Sequence, residues 1–234
     1  MIKPVAIITG ASTGLGRNLA IKLSSEYFVY LISRNQENLQ ETKAIIEEQS
    51  NECEIIIADI SKKKSIDFIY SQIKNKNNIE LLINNAGIAI FNNITDLTIE
   101  DWDQQLNTNL RGSFLATKMI VDDLKSRKTG KIVFINSVAG LNPYKDSTAY
   151  VASKHGLKGF ASALREELRS YNIKVISVYP GAINTPLWDN SGMDEARSEM
   201  MNPSDVSDII INALNSPNNC TTEEITIRRI LGDF

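Results

Sequence analysis

The feature of this sequence that most constrains its fold is a repeated alternation of short apolar segments with longer amphipathic ones. The short segments have the length and composition of strands: VAIIT (5–9), FVYLIS (28–33), EIIIAD (54–59), IELLINN (79–85), KIVFINS (131–137), KVISVYP (174–180) and EEITIRR (223–229). Helical periodicity predicts helices over residues 15–26, 37–49, 62–76, 100–127, 148–171 and 203–216. Apolar strands separated by helices are typical of a parallel sheet covered on both faces. The predicted fold class is therefore α/β, a Rossmann-like, doubly wound parallel sheet.

The sequence offers no boundary between domains. No internal repeat, low-complexity tract or Ser/Gly-rich linker interrupts the 234 residues, so we predict a single domain over residues 1–234. One stretch, residues 181–202, follows a predicted strand and is polar with scattered apolar residues such as Leu187, Trp188 and Met193. A long irregular segment at this place predicts a lid over a substrate.

Charge and cysteine content limit the partners. The formal net charge is −3, whereas nucleic acid or an acidic membrane would call for a basic face. The N-terminus, MIKPVAIITGAST, has too short an apolar stretch for a spanning helix and lacks the regions of a secretory signal. Cys53 and Cys220 stand far apart without C-x-x-C spacing, which favours free thiols in a reducing compartment and predicts no metal site. We expect a cytoplasmic protein that acts on small molecules.

The first predicted strand runs into a glycine-rich loop within VAIITGASTGLG (5–16). In an α/β sheet such a turn exposes backbone N–H groups at a helix N-terminus. Glycine at Gly10, Gly14 and Gly16 would allow a tight turn, close approach of a pyrophosphate and close contact between helix and strand. The loop therefore predicts dinucleotide binding.

The same loop also matches G-x-S-x-G, the elbow that exposes a catalytic serine in hydrolases. That alternative would use Ser12 as nucleophile with Asp59 and His155, which occur in the required order. The elbow of that fold comes late in the sheet, however, and no oxyanion-hole motif of the HGGG type is present. The hydrolase interpretation is the weaker one.

Six short segments settle the choice because they occur together and in order: TGASTGLG (9–16), NNAG (84–87), NTNLRG (107–112), INSVAG (135–140), YVASK (150–154) and PGAINT (180–185). From about residue 3 to residue 188 the chain resembles the short-chain dehydrogenase/reductase family. The resemblance implies an oxidoreductase that transfers hydride between a nicotinamide cofactor and the carbon of an alcohol or carbonyl group. A nucleotide-binding redox sensor without turnover is the alternative, although such a protein could have lost the residues described next.

Four residues are the candidates for catalysis. Tyr150 and Lys154 are four residues apart, which places a phenol and an ammonium on one face of a helix. Together with a positively charged nicotinamide ring, this ammonium would lower the tyrosine pKa by about 3 from its usual value of about 10, and we expect Tyr150 to pass the proton. Ser137, at the end of a predicted strand, would hold the substrate oxygen. The resemblance implies that Asn109 completes a proton relay through water to the lysine.

The remaining candidate residues would bind the cofactor. The resemblance places Asp59 at the adenine and Lys154 at the nicotinamide ribose hydroxyls. It also places Asn85, Ala86 and Gly87 beside the ribose, and Pro180, Gly181, Ile183 and Thr185 at the carboxamide. The full predicted set is Gly10, Ser12, Thr13, Gly14, Leu15, Gly16, Ser33, Arg34, Asp59, Ile60, Asn85, Ala86, Gly87, Tyr150, Lys154, Pro180, Gly181, Ile183 and Thr185.

The end of the second strand, FVYLISRN, predicts NADP(H) rather than NAD(H). Enzymes that prefer NAD carry an acidic residue here, which accepts hydrogen bonds from the ribose 2′-hydroxyl and would repel a 2′-phosphate. This chain has Ser33 followed by Arg34, and a guanidinium offers several donors to a phosphate.

Substrate identity is less constrained. The pocket would be formed by residues 138–144 and the insert after Gly181. The tail resembles that of reductases and dehydrogenases acting on small hydroxy acids, serine-like compounds or diketones, and the expected substrate is a small ketone, diketone or hydroxy acid. The family resemblance also implies a homodimer or homotetramer that pairs the long helices, whose apolar residues include Leu110, Phe114, Phe160 and Leu164. A stripe facing the core of the same subunit would look the same.

Overall fold

The computed structural model describes residues 2–189, 193, 195–217 and 219–232. The strands are β1 (Val5–Thr9), β2 (Phe28–Ser33), β3 (Cys53–Ile57), β4 (Ile79–Asn84), β5 (Gly130–Ile135), β6 (Ile173–Pro180) and β7 (Glu224–Ile227). The α-helices are α1 (Gly14–Leu23), α2 (Gln36–Glu48), α3 (Lys63–Gln72), α4 (Ile99–Gln105), α5 (Ser113–Arg127), α6 (Thr148–Leu168) and α7 (Pro203–Leu214).

The strands form one sheet in the order β3-β2-β1-β4-β5-β6-β7, and every neighbouring pair is parallel. The predicted α/β class with a doubly wound parallel sheet in a single domain is therefore confirmed. Since β1 lies between β2 and β4, the order of the strands reverses at β1. The crevice at the carboxyl ends of β1 and β4 is where such sheets bind ligands.

Helices bury both faces of the sheet, which explains why the strands are apolar throughout. All five residues of β1 are buried, and its alternate side chains point to opposite faces. Val5 and Ile7 belong to the core beneath α3, α5 and α6. Ala6 and Ile8 belong to the second core, beneath α1, α2 and α7. The two cores hold the strand ends in fixed positions.

The predicted helix over 100–127 differs from the structure in its middle. The chain is α-helical in α4 and α5, but residues 106–112, LNTNLRG, form a π-helical segment between them. Such segments are rare and are found at functional sites. Strands β3 and β5 end two residues earlier than predicted, so that Asp59 and Ser137 each lie two residues beyond the strand. The other boundaries agree within four residues.

The segment 181–202 carries two short 3₁₀ turns, Pro186–Trp188 and Glu195–Glu199. Its ends are joined by a bridge between Ile183 and Met201. Arg197 fastens its middle, because the guanidinium donates to the carbonyl of Thr185 and pairs with Asp189. Part of the predicted lid, residues 190–192 and 194, lies outside the described residues.

Two of the sequence-level expectations about surfaces can be examined in the fold. Leu110 and Phe160 pack against the core and Leu164 is buried, whereas Phe114 is 41% exposed. The stripe therefore mostly faces the core, and the homo-oligomer remains a prediction. Over the described ranges, no helix combines the length and apolarity that crossing a membrane requires.

Candidate active site

A cleft of about 800 Å³ opens at the carboxyl edge of the sheet. It has the size of a ligand site, and all but two of the predicted site residues line it. Those lining it are Gly10, Ser12, Thr13, Gly14, Leu15, Ser33, Arg34, Asp59, Ile60, Asn85, Ala86, Gly87, Ser137, Tyr150, Lys154, Pro180, Gly181, Ile183 and Thr185. Gly16 and Asn109 are not part of the lining, and each contacts residues that are.

The glycine loop joins β1 to α1. Gly10 and Gly14 have φ values of +67° and +55°, which side chains with a Cβ rarely adopt. A Cβ on Gly16 would collide with the carbonyl oxygen of Gly10, so this glycine permits the close packing of helix on loop. The helix N-terminus is left open to an anion, because its cap residue Thr13 makes no side-chain cap bond and the first turn has no acidic residue.

Asn85 holds this loop against β4. Its amide nitrogen donates to the carbonyl oxygens of Thr9 at 3.1 Å and Gly10 at 3.0 Å. Both N–H groups of the amide are therefore used within the protein. The side chain of Asn85 therefore positions the loop, and its predicted place beside the ribose stays a prediction.

Gly14 also brings the loop against the lid segment. A Cβ at this position would lie 2.9 Å from Cγ2 of Thr185, which is too close for real atoms. We expect Gly14→Val to lower cofactor affinity by about tenfold, because a branched residue at positive φ moves the loop and pushes Thr185 away. Calorimetric titration of the folded variant measures the affinity.

Gly159 provides the matched control for Gly14→Val, since a Cβ there meets nothing within 4 Å. Gly159→Val should bind the cofactor like the wild type. Unchanged affinity in folded Gly14→Val would show that the loop does not lie against the phosphates.

Ser12, Ser33 and Arg34 meet at the end of β2. The hydroxyl oxygens of Ser12 and Ser33 are 2.9 Å apart and share a hydrogen bond. Arg34 is exposed beside them and lines the same part of the cleft. The arrangement places two hydroxyls and one guanidinium within a single concave surface, which suits a phosphate group.

The Asp59 carboxylate accepts hydrogen bonds in the turn that precedes α3. Its Oδ1 accepts from the backbone N–H and the hydroxyl of Ser61, at 3.0 and 2.7 Å. Burial raises the pKa of this carboxyl, but the bonds from Ser61 and the charges of Arg34 and Lys62 outweigh burial and lower it. Asp59 is therefore ionised at neutral pH, and it faces the cleft while stabilising its own turn.

Ser137, Tyr150 and Lys154 come together at the ends of β5 and α6. The Ser137 hydroxyl accepts from the N–H of Ala139 at 3.1 Å, and its interaction with the Tyr150 hydroxyl acts to lower the pKa of the phenol. The Lys154 Nζ lies 5.6 Å from the centre of the Tyr150 ring and donates to the carbonyl oxygen of Ile135 at 3.0 Å. Tyr150 and Lys154 are only 9% and 5% exposed.

The lowering of the Tyr150 pKa was predicted for Lys154 acting together with a positively charged nicotinamide ring, whereas the protein groups alone raise this pKa. Burial raises the pKa of the phenol above its ordinary value, and the hydrogen bond from Ser137 offsets this only in part. Burial also lowers the pKa of Lys154 to about 8. The physical reason is shared, since a dry environment disfavours both the phenolate and the ammonium.

The depressed pKa of Lys154 makes the free energy of unfolding depend on pH. Between pH 8 and 10.5 the unfolded chain keeps this proton while the folded chain loses it, so stability rises with pH in that window. Relative to Lys154→Met, which cannot titrate, the wild type should gain up to about 3 kcal/mol across the window. Denaturant unfolding of both proteins measures the difference, and a constant difference would contradict the lowered pKa.

Asn109 lies in the π-helical segment and is buried behind the cleft. Its side chain accepts from the N–H of Ile88 at 2.9 Å and donates to the Ile88 carbonyl at 2.9 Å and the Ser153 hydroxyl at 3.0 Å. The side chain thus holds the loop after β4 against α6. The relay from Lys154 through water to Asn109 stays a prediction.

Several lining residues were not predicted from the sequence. Asn136 is buried and joins two catalytic candidates, because its Oδ1 accepts from the N–H of Ser137 and its Nδ2 donates to the carbonyl of Lys154. Its place inside the INSVAG segment was the available signal. Phe91 and Arg229 also line the cleft, but they belong to no motif and only the fold brings them there.

The hydrolase alternative finds no support in the geometry. His155 is exposed on α6, its Nδ1 lies 3.0 Å from the carbonyl oxygen of Val151, and it is not part of the cleft lining. The Ser12 hydroxyl is bonded to Ser33 instead. Nothing in this arrangement can accept a proton from Ser12 in the way that a histidine base does.

The sheet order, the open helix N-terminus and the Ser-Tyr-Lys cluster define a dinucleotide-binding α/β oxidoreductase. The short chain dehydrogenase family matches residues 4–196, and the chain belongs to this family. It is therefore an NAD(P)-dependent dehydrogenase or reductase acting on CH–OH or C=O groups.

Individual relatives cover the whole chain. A sepiapterin reductase of Chlorobaculum tepidum is 32% identical over 242 residues, which cover 100% of this chain and 99% of the relative. A metagenomic short-chain oxidoreductase solved in complex with NADP is 29% identical, covers 96% of each chain and has a TM-score of 0.84. A variant of actinorhodin polyketide ketoreductase with NADPH is 27% identical over 100% of each chain, with a TM-score of 0.90.

Proposed function

We propose that this protein is an NADP(H)-dependent oxidoreductase that interconverts a small carbonyl compound and its alcohol, with Tyr150 as the acid and base. The substrate is a ketone, a diketone or a hydroxy acid. One observation carries the proposal: Ser137, Tyr150 and Lys154 line the same cleft as the glycine loop, with the Lys154 Nζ 5.6 Å from the centre of the Tyr150 ring. We further propose a cytoplasmic homodimer or homotetramer, with residues 181–202 closing over the substrate.

The residues of the cleft fit a dinucleotide. The first turn of α1 offers N–H groups without a side-chain cap or an acidic neighbour, which suits a pyrophosphate. Asp59 and Ile60 would border the adenine, while Ala86, Gly87 and Lys154 would border the nicotinamide ribose. Pro180, Gly181, Ile183 and Thr185 would hold the carboxamide. When bound, the cofactor supplies or accepts the hydride.

The protein side of the reaction is the handling of the carbonyl oxygen. Ser137 donates a hydrogen bond to this oxygen and fixes its position beside Tyr150. Tyr150 donates its proton to the oxygen during reduction and takes it back during oxidation. A raised pKa suits the first direction, because the phenol stays protonated at neutral pH. Lys154, held by Ile135 and packed beside the ring, supplies positive charge when protonated.

The proposed preference for NADP(H) rests on Ser33 and Arg34. The shared hydroxyl bond of Ser12 and Ser33 puts two polar groups next to an exposed guanidinium, and this end of the cleft carries no acidic residue at position 33. A 2′-phosphate would gain charge-assisted hydrogen bonds there. Two structural relatives described with NADP or NADPH support this choice.

The test is direct turnover. Purified protein is mixed with NADPH and a panel of ketones, diketones and keto acids, and loss of nicotinamide absorbance is followed. Oxidation of NADPH that depends on the carbonyl compound supports the proposal. Tight NADPH binding with no turnover of any panel member would favour the redox sensor instead.

A further inference from the structure

The carbonyl end of the cleft has an aromatic wall built by Phe91 and Trp188. The two rings are stacked, with centroids 5.5 Å apart and planes inclined by 18°. The Phe91 ring also meets the Tyr150 ring edge to face, at 5.9 Å and 69°. A group attached to a carbonyl at the Tyr150 hydroxyl therefore lies next to this wall.

Phe91 lies in the loop after β4, which hydrogen bonds hold on both sides of this residue. The loop after β4 is fixed at Ile88 by Asn109 and at Ile90 by the Gln105 side chain, which accepts from the Ile90 N–H at 3.0 Å. Asn92 forms a bridge with Ser147, at the start of the helix that carries Tyr150. Phe91 and Tyr150 are thus held in one rigid unit, and preorganised rings lose little freedom when they bind a ligand.

Trp188 comes from the other side of the cleft. It ends the 3₁₀ turn Pro186–Trp188, whose first neighbour Thr185 is bonded through its carbonyl to Arg197. The lining of the same cleft also includes the apolar side chains of Val138 and Met193 and the ring of Tyr144. Ring faces pair favourably with other rings in stacked or edge-to-face geometry.

We propose that Phe91 and Trp188 are specificity-determining residues that select a carbonyl compound with a flat aromatic ring bonded directly to the carbonyl carbon. This inference rests on the proposed function and names the substrate class of the same site. An aliphatic group of the same connectivity fills part of the space but forms no ring pair with the wall.

A matched pair of diketones tests the proposal. 1-Phenyl-1,2-propanedione and 2,3-butanedione differ by a phenyl in place of a methyl group, and NADPH fluorescence follows the reduction of both. The wild type should have a kcat/KM at least about tenfold higher for the phenyl compound. In Phe91→Leu and Trp188→Leu this ratio should fall to about 2 or less, because the ring pair is lost.

Controls distinguish loss of the aromatic wall from a general loss of folded or active protein. Each ratio is measured on one preparation, so a smaller folded fraction cancels. Phe91→Tyr keeps a ring and should keep the ratio. Phe114→Leu removes an aromatic side chain outside the cleft and should also keep it.

Two results would overturn the inference while the proposed function stands: a ratio near one in the wild type, or a wild-type ratio that is unchanged in both leucine variants. Turnover of neither diketone with NADPH would instead contradict the proposed function, and the inference with it. The KM for NADPH should stay constant in the wall variants, and a rise in that KM with an unchanged ratio would assign the wall to the cofactor.

Discussion

Tyr150→Phe is expected to reduce kcat at least about a hundredfold, because the ring remains while the hydroxyl that passes the proton is lost. Phenylalanine fits the same buried space beside Phe91, so folding and NADPH affinity should change little. Steady-state kinetics measures the loss, and titration with NADPH measures the affinity. A variant that kept more than about half of the wild-type kcat/KM, with chemistry rate-limiting, would remove Tyr150 from the acid-base role.

Ser12→Ala is the matched control for this prediction. It removes a hydroxyl from the same cleft, and that hydroxyl bonds Ser33 rather than any catalytic candidate. Its effect on kcat should be mild. Loss of all activity in Ser12→Ala would revive the hydrolase alternative.

The second large effect concerns coenzyme choice. Ser33→Asp/Arg34→Ala should change the ratio of kcat/KM for NADPH over NADH by about tenfold to a hundredfold in favour of NADH. The aspartate would repel a 2′-phosphate and accept hydrogen bonds from a 2′-hydroxyl, and the lost guanidinium would remove the phosphate partner. The ratio is obtained from parallel assays with both coenzymes.

An unchanged kcat distinguishes an altered coenzyme preference from a general loss of activity in this variant. The kcat with the better coenzyme should remain near the wild-type value, because Ser33 and Arg34 belong to β2 and its exit, away from Tyr150. Equal use of both coenzymes by the wild type, or an unchanged ratio in the variant, would exclude Arg34 from the 2′-phosphate site.

The fold was predictable because strand and helix periods are local properties of the sequence. A buried strand such as VAIIT is recognisable as an apolar run from its own residues alone. The glycine-rich loop follows the carboxyl end of this strand. The π-helical segment around Asn109 was not predictable, since it depends on the side chain reaching Ile88 across the loop. The early end of β5 at Ile135 was not predicted either. Ser137 continues the apolar run in the sequence, but in the structure its side chain caps a 3₁₀ turn.

Site residues were predictable where a sequence motif contains them. They were less predictable where only the packing of distant segments brings them to the site. The glycine loop, Tyr150 and Lys154 line the cleft as expected. Burial of Tyr150 was not visible in the spacing, so its opposing effect on the pKa of the phenol was not predicted. Phe91 and Trp188 meet from segments nearly a hundred residues apart, and nothing local in either segment indicates their contact.

The strand order has a consequence for how this protein can change. Arg34 follows β2 and Ser137 follows β5, and these strands are three spacings apart, about 14 Å. Effects of substitutions at such a separation usually add in free energy. The proposed sites for coenzyme choice and for carbonyl choice are thus separate on one sheet edge, and we expect that a lineage or an engineer can exchange one without rebuilding the other.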